Sequence, residues 1–108
     1  ILMVKKILLL FFLMISLSSF SQEKSIDKLV ASPNPFTNTT TIFVNSKTNQ
    51  TVILTVRNVL GKTVYSKKLK VINGRNSIPF NRNDLKSGMY IYAIQSNKEV
   101  ISKRFVIR

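Results

Sequence analysis

The 108-residue sequence contains no cysteine, no histidine and no tryptophan, and its only acidic residues are Glu23, Asp27, Asp84 and Glu99. Without thiols there is no disulfide staple, no thiolate nucleophile and no zinc–thiolate site; without imidazole the commonest general base is missing too. Glu23 and Asp27 fall in a polar stretch, and Asp84 and Glu99 fall in two separate turns. A carboxylate pair of the glycosidase kind is therefore not expected. Glycine is equally sparse. Gly61, Gly74 and Gly88 stand alone, one to a turn, and form no phosphate cradle. Catalysis is not expected of this chain, nor a metal or cofactor.

Basic residues and hydrophobic patterning are what the sequence does have. Residues Ile1 to Ser21 have the layout of a helical secretory signal peptide: Lys5 and Lys6 supply the positive start, Ile7 to Ile15 the apolar core, and Ser19-Phe20-Ser21 the small residues of a cleavage site before Gln22. The apolar run is shorter than the roughly 20 residues needed to span a bilayer, so no stable transmembrane segment is expected once it is removed. Removing 21 of the 108 residues leaves 87, and losing Lys5 and Lys6 lowers the formal charge from +13 to +11. A domain of that size buries only about 60 to 65% of its unfolded surface, and with no disulfide its core alone must hold it.

After a polar linker over residues 22–28, the chain from residue 29 onward is punctuated as strands. Leu29 to Ala31 is a stub stopped by Ser32-Pro33-Asn34-Pro35, a corner at which two prolines remove donors from any ladder. Phe36 is expected to turn into the core. Thr39 to Val44 and Thr51 to Arg57 are β-branched runs, the second with Val52, Leu54 and Val56 on one face. Asn58 to Lys62 forms a turn in which Gly61 can take φ > 0. Thr63 to Val71 carries Lys68 and Lys70 on its wet face, or Lys67 if the register shifts, Asn73-Gly74 is the strongest short hairpin signal, and Pro79 makes Arg75 to Phe80 an edge or irregular strand. Leu85 is a plug within a polar loop.

The last two dozen residues read as a hairpin, with Met89 to Ile94 and Val100 to Ile107 flanking Ser96 to Glu99. The first run is apolar at nearly every position, as in a central strand covered on both sides. The second alternates Val100, Ser102, Arg104, Val106 and Arg108 against a drier Ile101, Lys103, Phe105 and Ile107. Seven short strands with no helical period predict an antiparallel Ig-like β-sandwich, with a barrel as the alternative. Lysines and arginines beside Tyr65, Tyr90 and Tyr92 could line a cationic groove. Export separates the chain from nucleic acid, and an anionic envelope partner fits the charge better.

Four stretches, in order, resemble the C-terminal sorting domain of the bacterial type IX secretion system of Bacteroidetes: Ser32 to Phe36 (SPNPF), Val59 to Val64 (VLGKTV), Leu85 to Tyr92 (LKSGMYIY) and Lys103 to Arg108 (KRFVIR). The resemblance implies a seven-stranded sandwich that acts as an address. After passage to the periplasm it would be recognised by the outer-membrane type IX machinery. A sortase-like protease would then remove it, with its cargo left on anionic lipopolysaccharide or released. On this sequence it points to Pro33, Asn34 and Pro35, to Gly61 and Lys62, to Leu85, Gly88 and Tyr90, and to Lys103, Arg104, Phe105, Val106, Ile107 and Arg108. Pro33, Pro35, Gly61 and Gly88 are expected to make the fold, whereas Lys103, Arg104 and Arg108, at the basic end of an apolar edge strand, are the residues expected to meet a receptor.

Such domains normally follow a large cargo, and here only Gln22 to Lys28 separates the leader from the fold. The sequence is expected to be either a fragment of a longer cargo protein or a miniature exported protein. Two functions are open at this point: a non-catalytic export address at the cell surface or beyond, and a small secreted adhesive or carbohydrate-binding module.

Overall fold

Runs rich in β-branched and aromatic residues, most of them alternating with polar ones, set seven strands among the described residues: β1 (Ile26–Ser32), β2 (Thr39–Ser46), β3 (Gln50–Arg57), β4 (Thr63–Val71), β5 (Gly74–Asn81), β6 (Gly88–Gln95) and β7 (Val100–Ile107). The structure, a computed structural model, describes residues 24–108. The expected signal peptide over residues 1–21 and its expected cleavage point at Ser21 and Gln22 lie outside the described residues. The strands form a three-stranded sheet in the order β1-β2-β5 and a four-stranded sheet in the order β4-β3-β6-β7. Every ladder is antiparallel. The described residues form an all-β, Ig-like sandwich.

The core is the set of inward residues of both sheets. Leu29, Ile42 and Val44 from the smaller sheet meet Val52, Leu54, Val56, Tyr92, Ile94, Phe105 and Ile107 from the larger one, all buried. In β3 the inward face is the Val52, Leu54, Val56 set expected from the pattern. In β7 it is Phe105 and Ile107, with Lys103 on the same side but reaching solvent at the sheet edge.

Three expectations are corrected. The Asn73-Gly74 turn is not a hairpin: β4 lies in the larger sheet and β5 in the smaller, paired along its length to β2. Gly74 does take φ = 107°. The corner is held by Asn76, whose amide accepts from Ile72 N–H at 2.9 Å and donates to the carbonyls of Ile72 and Gly74 at 2.9 and 3.1 Å. That one side chain satisfies main-chain groups that a hairpin ladder would have paired. Second, β1 starts at Ile26, inside the stretch expected to be linker, because Ile26 is fully buried and its strand pairs with β2 out to Ser46. Third, β6 is central by pairing, between β3 and β7, yet is covered on one face only: Ile91 and Ala93 stay half-exposed and Met89 is 41% exposed.

Candidate functional site

The proline corner and the closing strand, far apart in sequence, are one structure. Beyond Ser32 the chain turns through Pro33 and Pro35, both preceded by cis peptide bonds, and runs along the outer edge of β7. Asn34 acts as a piece of backbone: its Nδ2 donates to the Arg104 carbonyl at 3.1 Å and its Oδ1 accepts from Val106 N–H at 3.0 Å. Phe36 continues the pairing in parallel sense, its N–H donating to Val106 O at 3.0 Å and its carbonyl accepting from Arg108 N–H at 2.8 Å. Thr40 anchors the corner from the other side, its hydroxyl donating to Pro33 O at 2.7 Å. The edge of β7 from Arg104 to Arg108 is thus closed. β7 is an edge strand as expected, but between Arg104 and Arg108 the main-chain groups on its outer side are already taken by Asn34 and Phe36, which protects the edge from pairing with other chains.

Beneath this seam lies an aromatic cluster. Phe105, fully buried, has ring centroids 5.1 Å from Phe36, 5.4 Å from Phe80 and 5.0 Å from Tyr92, the last stacked and the Phe36 contact edge-to-face. Tyr65 closes on Phe80 edge-to-face at 5.2 Å. Burial lifts the Tyr92 phenol above its ordinary value, against a main-chain contact at Ala31 that lowers it. Tyr90, buried at the start of β6, donates its hydroxyl to Lys86 O at 2.7 Å. This is the tyrosine corner of Ig-like sandwiches, where one phenol ties a strand to the loop that precedes it. Gly88, at φ = 151°, opens that strand in a backbone region few other residues tolerate.

Two side chains to which the sequence assigned no structural role hold the ends of the terminal hairpin. Arg82, in the loop before β6, donates from Nε and Nη2 to Leu85 O at 3.1 and 2.9 Å, and from Nη1 to Thr37 O at 3.0 Å and Arg108 O at 2.7 Å. One planar guanidinium therefore joins the β1–β2 connection, the β5–β6 loop and the end of β7. At the other end, Glu99 accepts from Ser25 Oγ at 2.9 Å and from Ile26 N–H at 2.6 Å, clamping the start of β1. Desolvation raises the Glu99 carboxyl, but the two donors and the charge of Lys24 outweigh it and hold the group below its usual value. The signal for both was the same: a turn whose carbonyls or amides have no local partner must find a distant one.

The structure therefore brings Pro33, Asn34 and Pro35, Leu85, Gly88 and Tyr90, and Arg104 to Arg108 to one end of the sandwich. Phe105 and Ile107 point into the core there, and Arg104, Val106 and Arg108 point out. Gly61 and Lys62 lie in the β3–β4 turn, which leaves β3 at Arg57, in register with Ile91 and Arg104. There Gly61 takes φ = 84° and Asn58 Oδ1 accepts from both Leu60 and Lys62 N–H at 3.0 Å. Among the described residues no group of three or more His, Cys, Asp or Glu side chains comes together.

Seven antiparallel strands in two sheets, tied together at this end by Asn34, Arg82 and Tyr90, define a β-sandwich domain of the immunoglobulin-like class. The family model of the secretion system C-terminal sorting domain matches residues 31–108, and the chain belongs to that family, the sorting signals of type IX secretion. A comparison with curated proteins gave no match. Membership implies export to the cell surface or the medium and interaction with the type IX machinery.

Proposed function

We propose that this chain is a non-catalytic address, carried to the periplasm by its signal peptide over residues 1–21 and then passed across the outer membrane by the type IX machinery. The observation that carries the reading is the family match over residues 31–108. Once outside, a sortase-like protease separates the domain from whatever precedes it, and anionic lipopolysaccharide is the surface to which such cargo is attached. The sandwich agrees with a role as a folded signal: Pro33, Asn34, Pro35, Leu85, Gly88 and Tyr90 build the end that carries Arg104 and Arg108, so damage to any of them deforms the same end. In this reading Lys103, Arg104 and Arg108 contribute charge at the surface, and Phe105 and Ile107 act through the fold.

The test is a fusion of residues 22–108 behind a signal peptide and a fluorescent reporter, expressed in a type IX-competent bacterium and in a sibling strain lacking the outer-membrane translocon. Reporter outside the competent cells and trapped in the periplasm of the sibling is the expected result. Equal export from both strains, or trapping in both, overturns the proposal.

A further inference from the structure

With the β7 edge occupied from Arg104 to Arg108, a partner meets this part of the molecule at a sheet face. On the outer face of the four-stranded sheet, Arg57, Ile91 and Arg104 lie side by side in cross-strand register, and Thr55, Ala93 and Ser102 form the next row. The Asn58 to Lys62 turn stands beside them as a wall. Together they make a groove of about 400 Å³ lined by Arg57, Val59, Ile91, Ala93 and Val100 among others. A second hollow of about 460 Å³ shares Ile91 and Ser102 and runs on to Lys103 and Arg104. Val59 and Val100 are 66% and 63% exposed, and Met89 and Val106, paired across β6 and β7, lengthen the apolar strip.

The chemistry of the groove is one-sided. Val59, Ile91, Ala93 and Val100 give it an aliphatic strip set among the uncharged Thr55, Asn58, Gln95 and Ser102, Arg57 and Arg104 flank it, and neither hollow is lined by Asp27, Asp84 or Glu99, the acids among the described residues. Glu99, the nearest in sequence, faces Ser25 and Ile26. A second copy of the chain would bring arginine against arginine, which opposes self-association through this face. A polysaccharide or phospholipid headgroup would use the cations and leave the aliphatic strip in water. A protein surface with apolar side chains between carboxylates satisfies both features.

We infer that the outer face of the four-stranded sheet is where the secretion machinery grips the domain, through a partner surface of aliphatic or aromatic residues flanked by aspartate or glutamate. The inference rests on the sorting function proposed above and adds the face and the chemistry of the partner. Since the β7 edge is occupied from Arg104 to Arg108, the partner reads side chains on a sheet face there instead of adding a strand.

The reporter fusion tests this with three variants. In the first, Arg57→Glu is combined with Arg104→Glu. In the second, Lys28→Glu with Lys47→Glu makes the same change of charge at exposed positions of the other sheet and the loop beyond it. In the third, Val59→Ser is combined with Val100→Ser, leaving the charge intact. Thermal unfolding of each purified chain confirms that the sandwich persists. Export of the unmodified fusion, a tenfold or greater loss in the first and third variants, and less than a twofold change in the second are expected. Equal losses in the first and second would mean that bulk charge is read, and a normal third variant would mean that a polyanion is read; either overturns the inference and leaves the sorting function standing. Failure of the unmodified fusion to leave the cell overturns both.

Discussion

The four-stranded sheet has two outer strands, and they are protected in opposite ways. Along β7 the edge is closed by another part of the chain, with Asn34 and Phe36 pairing to Arg104, Val106 and Arg108. Along β4 the ladder has a partner on the β3 side only, and Lys67, Lys68 and Lys70 stand exposed on the strand. Both devices discourage edge-to-edge pairing, one by satisfying the main chain and the other by charge repulsion. The difference shows where the fold needs definition. β4 can tolerate drift of its lysines, whereas β7 carries Phe105 into the middle of the aromatic cluster and must keep one register.

That contrast can be broken most severely at its centre. Phe105→Ala removes a fully buried ring touching Phe36, Phe80, Tyr90 and Tyr92, and should cost about 3–5 kcal/mol in denaturant unfolding. Next is Arg82→Ala, which unties Thr37, Leu85 and Arg108 together; a loss of about 2 kcal/mol is expected. Arg82→Lys should recover only part of it, since an ammonium lacks the planar fork. Asn34→Ala opens the β7 edge at a solvent-accessible site, so about 1 kcal/mol is expected in the same unfolding experiment.

Because the Glu99 carboxyl is held below its ordinary value, its clamp on Ser25 and Ile26 contributes above the ordinary carboxylate range and fades as pH falls through the folded value. Solvent screening limits it to about half a kcal/mol. The unfolding midpoints of the unmodified chain and Glu99→Gln should therefore differ at neutral pH and converge in acid. Least of all, Lys68→Ala should leave stability within about 0.5 kcal/mol while raising self-association at high concentration, as light scattering would report.

Much of the fold was legible because it is local. The alternation in TVILTVR and in VISKRFVI sets the strands and their inward faces, Pro79 falls on an outer strand, and Gly61 sits in its turn. What was not legible depends on partners far along the chain. Ile26 is a lone apolar residue between Ser25 and Asp27, and its place in a strand depends on pairing with β2 and on Glu99, 73 positions away. Asn73-Gly74 has the chemistry of a hairpin turn, but pairing was decided by the fit of β5 against β2, so the same turn carries the chain between sheets. At the candidate site the proline corner and the closing strand were both visible as motifs. That Asn34 would lie on the edge of β7, and that Arg82 would join three segments beside it, are consequences of three-dimensional proximity that no local spacing encodes.

From Arg104 to Arg108 the chain itself seals the edge of its closing strand. Native-state hydrogen exchange read at the Val106 and Arg108 amides tests it most directly, since both donate to the proline corner, to Asn34 Oδ1 and to Phe36 O. Protection comparable to that of the interior β3–β6 ladder is the predicted result. Exchange of those two amides at the rate of an unstructured peptide, with the interior ladder still protected, would contradict it.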